Sequence, residues 1–282
     1  MRYTGSRRSV SQRPELRMSI IPTPVYFALR QRFVLCAIFP MLIAGSALAE
    51  HHEDSSAQGT PTVLVTGANR GLGLEFSRQY SEAGWSVIGT ARSPERADEL
   101  NGLDVEVLQL DVTDRDSIAA LVDSLDGRPI DLLINNAGIF PVVNQLEDID
   151  PDDYTQTLMV NTVGPMLVTQ ALLPNLRGGK QKRIVGITSK LGSTELSGGN
   201  YYGYRESKAA LNMFARTLAG ELGPEGFVSL AVHPGWARTD MGGANATQSA
   251  EEAVSGMRAV IDSAGADQNG AFIGFDGETV PW

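Results

Sequence analysis

The sequence predicts a single α/β domain, a doubly wound parallel sheet of seven strands with helices on both faces. Two observations lead to this prediction. Seven short runs rich in Val, Ile and Leu are apolar on both faces, which is typical of strands buried between two helical layers. Segments of helical periodicity alternate strictly with these runs from residue 62 to the end of the sequence, which is the pattern of one doubly wound sheet.

The elements follow one another along residues 62–282. The strands are predicted at Thr62–Thr66, Ser86–Ala91, Val105–Leu110, Asp131–Asn135, Arg183–Thr188, Val228–Val232 and Ala271–Phe275. Helices are expected near 71–83, 114–125, 153–174, 204–222 and 248–263. No internal repeat interrupts this alternation, so we expect one domain rather than two.

The first 49 residues have a different composition. Seven arginines precede Phe33–Ala49, an uncharged run that ends in Ala47-Leu48-Ala49 before Glu50. This order of basic, apolar and small residues predicts a secretory signal peptide and export to the periplasm. The alternatives are an uncleaved membrane anchor, or a misassigned start codon and a cytoplasmic protein. Residues 50–61 are predicted to be a polar linker.

The charge beyond residue 49 excludes one class of partner. The chain has 23 basic and 33 acidic residues, of which 16 and 32 lie beyond residue 49, a net charge of −16 there. We therefore expect no nucleic acid partner, because nucleic-acid binding requires positive charge against phosphates. The single cysteine, Cys36, lies in the apolar run, which excludes disulfides and a cysteine nucleophile from the domain. No metal site is predicted.

A glycine-rich loop follows the first predicted strand and reads TGANRGLG. Glycines permit a tight turn and let main-chain amides approach a pyrophosphate at the N-terminus of the next helix. Since the loop lies between an apolar strand and a helix, it predicts a dinucleotide site rather than an ordinary turn. The expected cofactor contacts are Gly67, Asn69, Arg70, Gly71, Leu72 and Gly73.

The end of the second strand indicates which dinucleotide binds. An acidic residue there would bind the ribose of NAD, whereas a basic residue suits the additional phosphate of NADP. This strand ends in Arg92 without an acid, and Arg70 lies in the glycine loop. A guanidinium matches the geometry of a phosphate, so NADP(H) is predicted, with NAD(H) as the less favoured alternative.

Tyr204 and Lys208 are four residues apart, so they lie on one face of the predicted helix. The pKa of free tyrosine is about 10, and a lysine cation nearby would lower it by stabilising the phenolate. This pair, following the fifth strand of a nucleotide-binding sheet, predicts acid–base catalysis by Tyr204. Ser189, directly after that strand, is suited to hydrogen-bond a substrate carbonyl, with Ser193 as the alternative. Both could equally be loop serines.

The glycine spacing and the Tyr-Lys pair, in this order, resemble the short-chain dehydrogenases/reductases over residues 62–282. The stretches TGANRGLG, SGGNYYGYRESKAALNM and HPGWARTDMGG, and the ending GETVPW, are similar to the C-factor/sniffer-type carbonyl reductases. The resemblance implies a Rossmann-type domain and a small or medium carbonyl compound, or its alcohol, as substrate. It also implies a homodimer or homotetramer through helices 153–174 and 204–222. The alternative that it leaves open is a nucleotide-binding signalling protein with little turnover.

The resemblance also implies roles for individual residues. Asn161 would complete a catalytic tetrad with Ser189, Tyr204 and Lys208, and Lys208 would also bind the nicotinamide ribose. Residues from Trp236 to about Ser249 would form a short substrate lid. The remaining implied cofactor contacts are Asp111 and Val112 at the adenine, Asn136, Ala137 and Gly138 after the fourth strand, and Pro234, Gly235 and Thr239 near the nicotinamide.

Overall fold

Seven parallel strands form one sheet at the centre of residues 59–282, the part of the chain that this computed structural model describes. The predicted signal peptide or anchor and nearly all of the predicted linker lie outside the described residues. The strands are β1 (Thr62–Val65), β2 (Ser86–Ala91), β3 (Glu106–Gln109), β4 (Leu132–Asn135), β5 (Arg183–Ile187), β6 (Val228–His233) and β9 (Phe272–Gly274). Their order is β3-β2-β1-β4-β5-β6-β9. The predicted seven-stranded doubly wound sheet is confirmed.

Helices cover both faces of the sheet. They are α1 (Gly71–Glu82), α2 (Asp98–Asn101), α3 (Arg115–Leu125), α4 (Pro151–Leu158), α5 (Gly164–Gly178), α6 (Tyr204–Leu222) and α7 (Ala250–Ser263). One apolar core packs α1 and α7 on the sheet, and a second packs α3, α5 and α6 on the opposite face. Alternate strand residues supply the two cores, so Val63 and Val65 lie in the first and Leu64 in the second.

The strand order places a crevice at the carboxyl ends of β1 and β4. The chain leaves β1 toward β2 on one side and continues from β4 to β5 on the other, so the crossover direction reverses between these neighbours. Ligands of open α/β sheets bind at such a switch point, outside the carboxyl ends of the strands. The glycine loop after β1 and the Asn136 turn after β4 both lie here.

The helix predicted over 153–174 is wrong in its continuity and its bounds. The chain forms α4, a π-helical turn at Met159–Val163, and then α5. Pro165 explains the wide turn, because proline has no N–H to donate to the carbonyl of Asn161 four residues earlier. The turn carries Asn161, whose side chain is fully buried.

Several short elements were not predicted. They are α2 and a two-stranded parallel ladder between β7 (Ala237–Arg238) and β8 (Gln248–Ser249). This ladder joins the two ends of the predicted lid. Ser249 then caps α7 by accepting the N–H of Glu252, whose carboxylate accepts the N–H of Ser249 in return. Among residues 59–282, no helix has both the length and the apolarity needed to cross a bilayer.

Candidate active site

The glycine loop brings main-chain groups close together at the start of α1. Gly67 and Gly71 have φ values of 64° and 56°, in the left-handed region that favours glycine. A Cβ on Gly73 would overlap the carbonyl oxygen of Gly67 and lie 2.5 Å from Nδ2 of Asn136. Arg70 precedes α1 without capping it, so the first amides of the helix have no side-chain cap. The loop has the geometry of an anion site at a helix N-terminus.

Hydrogen bonds tie the turn after β4 to this loop. The side chain of Asn136 donates to the carbonyl oxygens of Thr66 and Gly67 at 2.9 and 3.0 Å. The hydroxyl of Thr66 accepts the main-chain N–H groups of Asn136 and Ala137, both at 3.0 Å. Asn136 and Ala137 therefore lie beside the glycine loop, and the side chain of Asn136 acts as a brace for its backbone.

The two arginines predicted to bind the ribose phosphate lie at the mouth of the crevice. Arg70 pairs with Asp240 at 2.8 Å, and both side chains are largely exposed. Arg92 is exposed directly after β2 and forms no ion pair with the described residues. Asn69 is exposed and Leu72 half-buried. These positions leave both guanidinium groups accessible to a phosphate.

Asp111 and Val112 lie at the carboxyl end of β3. The carboxylate of Asp111 accepts the N–H and the hydroxyl of Thr113 at 2.9 and 2.7 Å. The N-cap of α3 is Asp114, so Asp111 does not cap this helix. Val112 is buried, and a Cβ on Gly164 at the start of α5 would lie 2.8 Å from its Cγ2. Val112 therefore packs against the helix that follows the π turn.

Tyr204, Lys208 and Ser189 converge at the carboxyl end of β5. Tyr204 is the first residue of α6, and Lys208 follows one turn later on the same buried face. The ammonium of Lys208 donates to the carbonyl of Ile187 at 2.9 Å and lies 5.7 Å from the centre of the Tyr204 ring. The side chain of Ser189 lies close enough to the hydroxyl of Tyr204 to lower its pKa, and the hydroxyl of Ser189 accepts the N–H of Leu191 at 3.1 Å. The structure thus brings together the predicted tyrosine, lysine and serine.

Burial decides the pKa values of this group. Burial raises the pKa of Tyr204 to about 12, and the nearby side chain of Ser189 opposes the rise. Burial lowers the pKa of Lys208 to about 8. The expectation that Lys208 brings the tyrosine pKa below its ordinary value is therefore wrong for the chain itself, because loss of solvation outweighs the attraction between ammonium and phenolate. At neutral pH the phenol is protonated and the ammonium is charged.

Asn161 connects the π turn to the chain after β4. Its side chain accepts the N–H of Ile139 at 2.8 Å and donates to the carbonyl of Ile139 at 2.9 Å. It also donates to the hydroxyl of Ser207 at 3.0 Å. A Cβ on Gly138 would lie 3.3 Å from the oxygen of Asn161 and 3.6 Å from the ammonium of Lys208. Asn161 and Gly138 therefore lie within the same group as Lys208.

The alternative serine has other partners. Ser193 donates its hydroxyl to the main-chain oxygen of Trp282 at 3.2 Å and accepts the N–H of Leu196 at 3.0 Å. These two bonds engage Ser193 in its own loop. Of the two serines, only Ser189 lies close enough to Tyr204 to affect the pKa of its hydroxyl.

The loop after β6 folds over the glycine loop. Gly235 has a φ of 73°, and the side chain of Gln248 fills the space beside it and accepts the N–H of Trp236 at 2.9 Å. The methyl group of Thr239 would contact a Cβ on Gly71 at 3.5 Å. The segment that begins at Pro234 thus reaches from the end of β6 to the start of α1. Trp236 and Met241 are about half exposed on it, at 52% and 47%.

Sequence reasoning missed two residues in this region. The ring of Phe140 meets Tyr204 edge-on, with 4.4 Å between ring centres. The ring nitrogen Nδ1 of His233 accepts the N–H of Lys190 at 3.1 Å, directly after Ser189, and burial lowers the pKa of His233 to about 4. Their places in the sequence, two residues after Asn-Asn-Ala-Gly and one before Pro-Gly, are the signals that could have identified them.

Comparisons with known proteins identify the family of this fold. The family model for short chain dehydrogenases matches residues 61–272. C-signal of Myxococcus xanthus is 46% identical over 155 residues, covering 55% of this chain and 93% of that protein. The NADPH-bound carbonyl reductase from chicken fatty liver superimposes with a TM-score of 0.74 at 35% identity, over 79% of this chain and 99% of that one.

The carbonyl reductase Sniffer of D. melanogaster superimposes with a TM-score of 0.75 at 30% identity, over 79% of this chain and 100% of that chain. The family model covers well over half of the chain, and both structures share the arrangement of residues 59–282 at identities of 30% or more. The chain therefore belongs to the short-chain dehydrogenase/reductase family of oxidoreductases.

Proposed function

We propose that this oxidoreductase reduces a small or medium carbonyl compound with NADPH, or oxidises the corresponding alcohol in reverse. The observation that carries the proposal is the buried Tyr204, with the side chain of Ser189 close to its hydroxyl and the ammonium of Lys208 one helical turn away. This group lies at the carboxyl ends of the central strands, in the crevice that the glycine loop also borders.

The residues of the crevice fit a dinucleotide. The uncapped amides of α1 and the left-handed glycines would hold a pyrophosphate, and Gly73 leaves room that any side chain would fill. Asp111 and Val112 would lie at the adenine, and Asn136, Ala137 and Gly138 along the cofactor. The further cofactor contacts proposed are Pro234, Gly235, Thr239 and the ammonium of Lys208. When bound, NADPH supplies the hydride that adds to the carbonyl carbon.

A side chain of the protein supplies the proton that the carbonyl oxygen takes up. With a pKa near 12 the phenol of Tyr204 carries its proton at neutral pH, so it can donate to the carbonyl oxygen as that oxygen gains negative charge. The hydroxyl of Ser189 would orient the same oxygen. Lys208 is charged below a pH of about 8 and stabilises the phenolate that remains. Asn161 would hold the chain after β4 in place and support the return of a proton from solvent to Tyr204.

Two accessible guanidinium groups support a preference for NADP(H) over NAD(H). Arg70 and Arg92 are both exposed at the end of the crevice nearest β2, and a ribose phosphate would meet a planar donor at either position. The chicken relative was crystallised with NADPH, which supports the same choice here.

The direct test follows the hydride. The protein is incubated with NADPH deuterated at the transferable position and a panel of aldehydes and diketones, and the products are analysed by mass spectrometry. We expect an alcohol that carries one deuterium on the former carbonyl carbon, formed faster with NADPH than with NADH. Absence of a deuterated product on every carbonyl would refute the reductase.

A second candidate rests on one comparison. The 46% identity to C-signal supports, as the second proposal, a nucleotide-binding signalling protein with little turnover. Both proposals require the protein to bind the dinucleotide, and they differ in whether hydride is transferred to a carbonyl. Tight NADPH binding without deuterium transfer would favour the signalling protein, whereas transfer to a carbonyl favours the reductase.

A further inference from the structure

The end of the chain returns to the loop that follows the candidate serine. The residues after β9 turn back and run antiparallel to this strand. The N–H of Val280 donates to the carbonyl of Phe272 at 2.8 Å, and Thr279 forms an antiparallel β-bridge with Ile273. Trp282 therefore lies against the loop between β5 and α6. The ending GETVPW, singled out in the sequence, has no role in the reaction proposed above.

The main-chain oxygen of Trp282 accepts three hydrogen bonds from that loop. It accepts the N–H of Glu195 at 2.7 Å, the hydroxyl of Thr194 at 3.0 Å and the hydroxyl of Ser193 at 3.2 Å. Three consecutive residues of the loop are therefore attached to one point.

The indole ring holds this point in place. It packs against Phe272 of β9, with 5.8 Å between ring centres, and the guanidinium of Arg216 on α6 lies 4.8 Å from its centre. An edge strand of the sheet and a helix thus hold the ring on two sides, and the cation is attracted to the aromatic face.

The held loop is continuous with the candidate serine. The N–H of Gly192 donates to the carbonyl of Ser189 at 2.8 Å, and the N–H of Ser193 donates to the carbonyl of Lys190 at 3.1 Å. A Cβ on Gly192 would lie 2.7 Å from the carbonyl carbon of Lys208, so this turn is pressed against α6. Movement at Ser193 is therefore transmitted to Ser189 through one tight turn.

Beyond Leu196 the loop has little support of its own. Residues 194–200 are exposed, and Gly198 and Gly199 have no atoms near the positions that a Cβ would occupy. The loop lines a cavity of about 220 Å³ beside Tyr202 and Arg205. Without the attachment at Trp282, the segment from Gly192 to Tyr201 would lose the three bonds that hold its first part.

We infer that Trp282 is a positioning residue for the reductase, holding through the loop Ser193–Leu196 the main chain that carries Ser189. This inference rests on the proposed function. It predicts that Trp282→Ala raises KM for the carbonyl, so that kcat/KM falls on the order of tenfold, while KM for NADPH is unchanged. Trp282→Phe keeps an aromatic ring at the same place and restores most of the loss. Thr194→Val removes one donor and shifts KM for the carbonyl in the same direction.

Trp85→Ala is the matched control. Trp85 packs on Tyr80 at 4.9 Å between ring centres and precedes β2, at the opposite end of the strands from the site. We expect this variant to lower the melting temperature as much as Trp282→Ala and to leave kcat/KM unchanged. An equal fall of kcat/KM in both variants would overturn the inference, because the effect would then be general destabilisation.

Hydrogen exchange of the cofactor-free protein tests the attachment independently of turnover. Trp282→Ala should exchange the amides of Glu195 and Leu196 faster than wild type, and Trp85→Ala should not. Unchanged exchange would overturn the inference, and so would faster exchange with an unchanged kcat/KM for the carbonyl. A wild-type protein without turnover refutes the proposed function, whereas the exchange of Glu195 still reports whether Trp282 holds the loop.

Discussion

Asn161 forms two hydrogen bonds with a single residue, Ile139, one to its N–H and one to its carbonyl. Paired amide and main-chain groups of this kind fix the orientation of both partners. Here they fasten the π turn to the segment after β4, and the next residue in that segment, Phe140, packs against Tyr204. The position of the Tyr204 ring therefore depends on a residue that does not touch it.

Asn161→Ala should destabilise the fold and impair the reaction. Loss of the side chain leaves the N–H and carbonyl of Ile139 unsatisfied in a half-buried place, which costs up to about 1–3 kcal/mol. We expect kcat to fall more than tenfold with little change in NADPH affinity. Asn175→Ala is the control, because Asn175 is equally buried and bonds the carbonyl of Arg128 away from the site. A similar loss of kcat in the control would contradict a specific role for Asn161.

Lys208→Met should stabilise the protein at neutral pH. The pKa of Lys208 falls from 10.5 in solvent to about 8 in the folded chain, so folding opposes the charged form by about 3 kcal/mol below pH 8. This cost disappears as the pH rises toward 10.5, where the unfolded lysine also loses its proton. The melting temperature of Lys208→Met should therefore exceed that of wild type at about pH 7 and approach it at about pH 10.

Lys180→Met, at an exposed position, is the control for this pH dependence. Its melting temperature relative to wild type should be the same at both pH values. If Lys208→Met showed the same offset from wild type at both pH values, the burial of a charged lysine would not be the cause. Turnover by Lys208→Met should be lost at either pH.

Gly73→Ala should abolish cofactor binding. The added methyl group would overlap the carbonyl of Gly67 and crowd the amide of Asn136, so the glycine loop must open. Calorimetric titration with NADPH should show at least a tenfold loss of affinity. Gly220→Ala in α6 is the matched variant, because nothing lies near its added methyl and alanine favours a helix by up to about 1 kcal/mol. NADPH binding by Gly220→Ala should equal that of wild type.

Export remains a proposal about the part of the chain before residue 59. If residues 1–49 are a signal peptide, the mature protein begins at Glu50. N-terminal sequencing of the protein recovered from its native host should read Glu50-His51-His52. A sequence that begins at Met1 or Met18 would instead indicate an uncleaved anchor or a cytoplasmic protein.

The features predicted correctly from sequence are those that the backbone determines locally. The glycine loop follows from positions where only glycine fits, and the shared face of Tyr204 and Lys208 follows from the helical repeat. Apolar strand runs likewise predict a sheet covered on both faces, and the seven strands are found within a few residues of their predicted bounds.

The features that were missed depend on contacts between distant segments. The contact of Phe140 with Tyr204 depends on the segment that the π turn holds through Asn161. Pro165 is a local cause of this turn, but no apolar pattern in the sequence predicts it. The rise in the pKa of Tyr204 depends on the depth of its burial, which spacing does not reveal. The attachment of Ser193 to Trp282 joins residues 89 positions apart.

Tyr204 is proposed to supply the proton during carbonyl reduction, and the loss of NADPH absorbance with a carbonyl that wild type reduces tests this role. Tyr204→Phe keeps the ring against Phe140 and removes only the hydroxyl. We predict that kcat falls by about a hundred- to ten-thousandfold while calorimetry shows unchanged NADPH binding. Turnover by Tyr204→Phe at the wild-type rate would contradict the proposed role of this tyrosine.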